Sequence, residues 1–245
     1  MLVMPSLENF CNLSKEEQID LIQIAEAQAE YIKGNFIDSL YPEEGPLRRE
    51  LYAKHMEFFE KGAEYSERCF MAANRVGKTL GGGGYELTLH LTGQYPKWWK
   101  GYRFKKPIKA WAAGKTNETT RDIIQLELMG ERKKFGTGLI RRDCIGDFRW
   151  KSGVADLLDT VKVKHKSGGW STLGLKSYQQ GRDGFEGTAK HVIWLDEEPP
   201  QTIYEECVLR TMTTKGLIML TFTPLVGMSD TVRSFMPKEY QFDGD

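Results

Sequence analysis

The segment Ala72-Ala73-Asn74-Arg75-Val76-Gly77-Lys78-Thr79 has the residue types and order to hold a triphosphate. It follows the spacing G-x-x-x-x-G-K-[ST] at every defined position except the first, where alanine replaces glycine. In such a loop the backbone N–H groups of Ala73, Asn74, Arg75, Val76, Gly77 and Leu80 converge on phosphate oxygens. Gly77 lacks a side chain where the backbone must come close. Lys78 supplies a point charge to the terminal phosphates, and the Thr79 hydroxyl is a hard oxygen ligand for Mg²⁺. A helix starting at Thr79 adds its positive N-terminal end.

The second chemical element is His191-Val192-Ile193-Trp194-Leu195-Asp196-Glu197-Glu198-Pro199-Pro200. A run that is apolar at successive positions fits a parallel strand buried on both faces, and Asp196 emerges at its carboxyl end, where open α/β sheets bind ligands. Asp196 is then a metal-holding carboxylate, and Glu197 a base that polarises water for in-line attack on a γ-phosphate. Glu198 is the second candidate base. The competing reading has these acids cap a helix that begins near Gln201. Downstream, Leu217–Thr223 forms another apolar run, and Thr221 or Thr223, at its polar end, is placed to sense the γ-phosphate.

One segment imitates the loop. Lys109-Ala110-Trp111-Ala112-Ala113-Gly114-Lys115-Thr116 also ends in Gly-Lys-Thr, but it contains bulky Trp111 and reads better as a continuous strand. The first loop is followed by Gly81-Gly82-Gly83-Gly84, which costs a helix about 1 kcal/mol per glycine against alanine. Keeping the four predicts that another backbone packs closely against them.

The elements that position these residues follow from periodicity. Ser14, with Glu17 three positions on, forms a capping box. Ile19, Ile22, Ala25, Ala29 and Ile32 then recur at helical spacing up to Gly34. After a break at Tyr41–Pro46, a second helix is expected over about 47–60, with Leu51, His55, Phe58 and Phe59 on one side. These helices are a lid packed on the core or a docking surface, and packing is the simpler expectation. From Cys69 onward short apolar runs alternate with helical stretches, the mark of an α/β protein with a largely parallel sheet. Strands are expected at 68–72, 107–113, 173–177, 192–195 and 217–222, and helices at 79–91, 119–129 and 202–211. Residues 161–175 read as an inserted hairpin turning at Gly168-Gly169. The fold class is α/β, and Glu197 beside Asp196, with an extra strand between the two motifs, points to a P-loop nucleoside triphosphatase of the additional-strand, catalytic-glutamate type. Its mainly parallel central sheet is flanked by helices, with a helical region at 1–60 and the core at 61–245.

The 245 residues are 40% hydrophobic, enough for a sizeable core, and no run reaches the roughly 20 apolar residues of a membrane span. Four scattered cysteines, Cys11, Cys69, Cys144 and Cys207, show neither metal spacing nor a disulfide framework. A net charge of zero hides a division: residues 1–66 carry −7, 67–190 carry +12 and 191–245 carry −5. A basic middle suits a polyanionic partner, although mixing of charges on the folded surface would also account for it.

Taken in order, 73–79, Gly181-Arg182-Asp183-Gly184-Phe185-Glu186-Gly187, Trp194–Pro200 and Thr221-Phe222-Thr223-Pro224 resemble the ATPase domain of the large terminase subunit of tailed bacteriophages. The resemblance spans about 45–230 and is most specific over 180–200. It implies ATP-driven packaging of double-stranded DNA into a procapsid, in the infected host's cytoplasm and transiently at the portal vertex. It implies ATP and Mg²⁺ as cofactors. The implied partners are the portal protein, a small terminase subunit and further copies in a ring, with monomers in isolation. Lys78 and Thr79 would bind ATP and Mg²⁺, Asp196 would hold the metal, Glu197 would be the catalytic glutamate, and Thr221–Pro224 would couple hydrolysis to movement. Arg75 lies one position from where several relatives carry the loop arginine. Arg182 is either an arginine reaching a neighbour's ATP or a salt-bridge partner. Tyr52 and His55 either stack on adenine or pack in the core. No nuclease activity is expected from this chain. A helicase-like translocase and a nucleotide-regulated adaptor are the alternatives.

For DNA, two basic segments stand out. In Lys97–Lys106, Trp98 and Trp99 fit packing better than base stacking. Lys162, Lys164 and Lys166 on the expected hairpin form the second candidate surface.

Overall fold

Residues 192–196 and 217–222 are apolar at nearly every position, and only a strand flanked on both sides hides both of its faces. The computed structural model, which describes residues 10–225, 227–237 and 239, places them side by side in the interior of a seven-stranded sheet. The strands are β1 (Glu67–Met71), β2 (Lys109–Gly114), β3 (Ile145–Trp150), β4 (Leu158–Lys164), β5 (Trp170–Ser177), β6 (Val192–Asp196) and β7 (Leu217–Phe222), in the order β1-β7-β6-β2-β5-β4-β3. Pairing is parallel from β1 through β5 and antiparallel from β5 to β3. The register sets Asp196 beside Thr221.

Among the described residues, six helices accompany the sheet. Helix α1 (Lys15–Gly34) starts at Ser14 with the expected capping box, and α2 is Ala53–Lys61. A π-helical run at Lys78–Gly84 leads into α3 (Tyr85–Thr92). Helix α4 joins an α-helical turn at Asn117–Thr119, a π-helical stretch at Thr120–Gln125 and a last turn at Leu126–Met129. Helices α5 (Gln201–Met212) and α6 (Asp230–Phe235) complete the set. One core lies between the sheet and α2, α3 and α4, and contains Phe59, Leu87, Leu128, Leu173 and Trp194. A second lies under α5 and contains Ile193, Leu195, Cys207 and Leu220. Arg68 on β1 and Glu86 on α3 form a buried ion pair at 2.7 Å, extended by His90 Nε2 at 3.1 Å from the same carboxylate.

Several expectations need correction. The second helix is shorter than 47–60: a 3-10 turn at Arg49–Tyr52 precedes α2, and Leu51 is exposed while His55, Phe58 and Phe59 are buried. Helix α1 does not pack on the core, because Ile19, Ile22 and Ile32 are 53%, 44% and 49% exposed. The hairpin is real, but its second arm continues as β5 into the parallel part of the sheet, and β3 has no counterpart among the expected strands. Strand β3 is exposed at four of its six positions, so it lacks the apolar alternation that reveals a strand. The segment Gly81–Gly84 is π-helical, and side chains rather than a backbone crowd it. A Cβ on Gly83 would lie 2.1 Å from Trp194 Nε1, and one on Gly82 would lie 3.2 Å from Phe70. Apart from Phe10, the reading of the first ten residues lies outside the described residues, as does that of the chain beyond 239.

Candidate nucleotide site

At the carboxyl ends of β1, β7 and β6 lies a cleft of about 730 Å³. Lys78, Thr79, Asp196, Glu197, Thr221 and Thr223 line it together with Asn74, Arg75, Gly77 and Leu80. Gly77 takes φ +78°, a left-handed value open to a residue without Cβ, and is the N-cap of the π-helical run. Its carbonyl accepts from Gly81 N at 2.8 Å and Gly82 N at 3.0 Å, so the helix leaves the loop in the wide π-type winding. Lys78 is buried, and its ammonium donates to Ala73 O at 2.6 Å and to Thr223 Oγ1 at 3.0 Å.

Two motifs 117 positions apart meet here: Thr79 Oγ1 lies 3.1 Å from Asp196 Oδ1. Thr221 Oγ1 donates to the same carboxylate at 2.7 Å and accepts from Trp194 Nε1 at 2.7 Å. Burial pushes the Asp196 carboxyl up to about 6, against the hydrogen bonds from Thr221 and Thr79 and the charge of Lys78, so it is largely ionised at neutral pH. A buried carboxylate beside a threonine hydroxyl is the hard-oxygen pair that Mg²⁺ takes when phosphate and water supply its other ligands. Among the described residues no group of three or more His, Cys, Asp or Glu side chains is arranged to hold a metal alone.

The two glutamates differ. Glu197 sits at φ +62°, a strained value for a residue with a side chain. It is held there by its N–H on Thr221 O at 3.0 Å and by Tyr178 OH, 3.0 Å from its carbonyl. Its carboxylate is exposed to the cleft with no hydrogen bond or ion pair among the described residues. Glu198 is instead engaged by the Ser229 hydroxyl, at the N-cap of α6.

The remaining expected residues scatter. Ala73 contributes its carbonyl to Lys78. Arg75, at φ +64°, is exposed at the cleft. Val76 and Tyr52 line a separate groove of about 980 Å³ on the other side of the loop. His55 is buried rather than open for stacking, with Nε2 3.0 Å from Val76 O and Nδ1 2.6 Å from Tyr41 OH. Arg182 does not line the cleft, and its Nε pairs with buried Glu206 at 3.0 Å. Trp99 is buried, and Trp98 stacks on Tyr85 with rings 6° from parallel.

Two cleft residues escaped the motifs. Lys115, from the imitation loop, follows β2 beside the same cleft, while Thr116 caps α4 with Oγ1 accepting from Thr119 N at 3.1 Å. The Gly-Lys-Thr at a strand end was the available signal. Glu127 on α4 faces the cleft with one buried carboxylate oxygen unpartnered; burial and the charge of Asp196 push its carboxyl up to about 8. Nothing in its local sequence marks it.

Over residues 69–243 the chain matches the family described as terminase large subunit, T4likevirus-type, N-terminal. It belongs to the large terminase subunit family. It is 38% identical over 245 residues to the terminase large subunit of Salmonella phage P22, covering 92% of this chain and 47% of that one. It is 26% identical over 248 residues to the terminase large subunit of Enterobacteria phage LP7, covering 92% and 49%. The chain thus spans about half the length of these curated terminases. A solved large terminase from a thermophilic bacteriophage, in complex with ADP, aligns with a TM-score of 0.44 at 15% identity, over 69% of this chain and 37% of that one.

Proposed function

We propose that the cleft binds ATP with Mg²⁺ and hydrolyses it to drive double-stranded DNA into a procapsid, as the motor part of a large terminase subunit. The observation that carries this reading is the Thr79–Asp196 contact, which joins the phosphate loop to the acidic strand end. The place of β7 between β1 and β6 supports the additional-strand, catalytic-glutamate type of nucleotide fold.

Each residue's role follows from its surroundings. Loop amides and Lys78 hold the phosphates, with the ammonium turning from Ala73 O and Thr223 toward the terminal group. Thr79 and Asp196 would hold Mg²⁺, which would supply positive charge to neutralise the phosphates. Glu197 takes a proton from water as that oxygen bonds to the γ-phosphorus and the bond to the β-phosphate oxygen breaks. Its unengaged carboxylate favours it over Glu198 for this step, and it favours hydrolysis over a purely regulatory adaptor. Adenine lies against Tyr52 and Val76 in the neighbouring groove. Thr221 and Thr223, which touch Asp196 and Lys78, couple the phosphate's departure to movement. Arg182 reaches a neighbour's ATP only by leaving Glu206 in the assembled ring. The division into a helical region, 1–60, and an ATPase core, 61–245, belongs to this reading. So do the portal protein, the small terminase subunit, the ring and a setting in the host cytoplasm at the portal vertex.

Glu197→Gln tests the assignment in single-turnover hydrolysis. The variant should bind ATP with wild-type affinity and hydrolyse at least about a hundredfold more slowly, the scale of a lost general base. Equal hydrolysis by both proteins would remove Glu197 from the chemistry.

A further inference from the structure

The sheet has two unlike sides where β2, β5, β4 and β3 lie together. Ala110, Ala112, Leu173, Leu175, Val161 and Val163 face the core beneath α3 and α4. Side chains alternate along a strand, and paired residues on adjacent strands point the same way. The register therefore gathers the intervening positions on the other side. Lys109 lies beside Thr172 and Thr172 beside Lys162; Ala113 lies beside Lys176, Trp170 beside Lys164, and Thr160 beside Arg149. Lys109, Arg149, Lys162 and Lys164 are exposed. Lys190 joins them from the segment before β6, its ammonium 4.1 Å from the centre of the Trp111 ring, with Lys176 at 5.3 Å from the same ring.

These six cations make no ion pair among the described residues. The four strands carry two carboxylates, Asp147 and Asp159. Crowding is felt within the array: burial first, then the charges of Lys109, Lys176 and Arg210, bring Lys190 down to about 8. The neighbouring Lys151 has a buried ammonium without a hydrogen-bond partner and is lowered by burial and by Lys176. Like charges that outnumber their counter-charges on a flat face are destabilising unless an anion neutralises them.

We propose that this face, open at Lys109, Arg149, Lys162 and Lys164, with Lys176 half-buried and Lys190 buried behind it against Trp111, is the surface that takes the phosphate backbone of duplex DNA. The assignment rests on reading the chain as the part that moves DNA. Three strand spacings make the face about 14 Å across, a length in which a duplex presents about eight phosphates. A protein partner fits less well, because the centres of protein interfaces are depleted in lysine. Lys166, which the sequence groups with Lys162 and Lys164, does not belong to the face. It turns toward Tyr95, 5.6 Å from its ring centre.

The test is equilibrium binding of a labelled mixed-sequence duplex across a salt series, read by anisotropy with the 245-residue chain. Each lost phosphate contact lowers the slope of log affinity against log salt by about 0.9. Lys162→Gln/Lys164→Gln should lower the slope by about two and weaken binding about sixtyfold near 0.1 M salt. Lys105→Gln/Lys106→Gln, an exposed pair elsewhere, should leave both unchanged. A wild-type slope in the first variant, an equal loss in the second, or a wild-type chain that fails to bind duplex at low salt would overturn the proposal. So would a chain that only self-associates through this face. Hydrolysis is not read here. Duplex binding without ATP turnover would count against the proposed function alone, and turnover without duplex binding against this surface alone.

Discussion

At the scale of single residues, the phosphate loop is braced from behind by a relay the motif does not contain. Tyr41 OH lies 2.6 Å from His55 Nδ1 and 2.8 Å from Gly81 O, and His55 Nε2 lies 3.0 Å from Val76 O. Carbonyl oxygens only accept, so a neutral imidazole and a phenol bring two protons to three contacts. Burial lowers the His55 pKa, against the pull of Val76 O, which favours the neutral ring. The relay fixes both the loop and the first turn of its helix. Tyr41→Phe should therefore weaken nucleotide binding severalfold, the worth of about one hydrogen bond. Hydrolysis at saturating ATP should change much less, since no reacting group is touched. Titration with a fluorescent nucleotide analogue beside steady-state rates separates the two, and an unchanged affinity would reduce the relay to packing. His55 is visible in the sequence as an aromatic-site candidate. Its partner Tyr41 is hidden in a turn, because nothing local shows a contact 40 positions away.

At the scale of elements, β1 and α3 are clamped by Arg68, Glu86 and His90. Although burial opposes ionisation of Glu86, Arg68 and His90 hold its carboxyl below the usual range. Arg68→Met strips the main counter-charge from a fully buried carboxylate and should cost about 3–5 kcal/mol, seen as a lower urea midpoint. Removing both charges, Arg68→Met/Glu86→Leu, should recover much of that loss. If the double variant is no better than the single one, the carboxylate is not what suffers. Legibility tracks burial at this scale. Strands β6 and β7, buried throughout, announce themselves as apolar runs, and the expected bounds of β7 match to the residue. Strand β3, exposed on both faces over its last four residues, has no apolar pattern to read. The π-helical windings are beyond reach, since a glycine run does not say which side chains will fill its grooves. The nucleotide cluster is legible because phosphate chemistry fixes residue types at fixed spacing. Glu127 is not, because a carboxylate on a helix becomes notable only once the fold buries it.

At the scale of the whole molecule, the charge division along the chain does not persist in the fold: basic Arg75, Lys78 and Lys115 line the same cleft as Asp196 and Glu197. The acidic strand end and the phosphate loop meet at the carboxyl ends of the strands, while unpaired lysines gather on one side of the sheet, with Lys190 among them buried against Trp111. This arrangement has a pH signature. With its pKa lowered to about 8, Lys190 binds its proton less readily in the folded chain than in the unfolded one. Its charge therefore opposes folding below about pH 8, and that penalty fades as pH rises toward the ordinary lysine value near 10.4. Lys190→Met should be more stable than wild type at pH 7, with the gap shrinking by pH 10; denaturant titrations at both values check this. A constant gap would trace the effect to packing on Trp111 instead.

Trp194 has a use beyond the architecture. Fully buried against the bare backbone of Gly83, it donates its indole proton to Thr221, whose own proton goes to Asp196. Its ring is thus two hydrogen bonds from the proposed metal ligand and shielded from quenchers in solvent. The molecule carries its own lamp beside the engine: whatever tightens or slackens that carboxylate should alter the indole's emission, and no attached dye is needed to watch it.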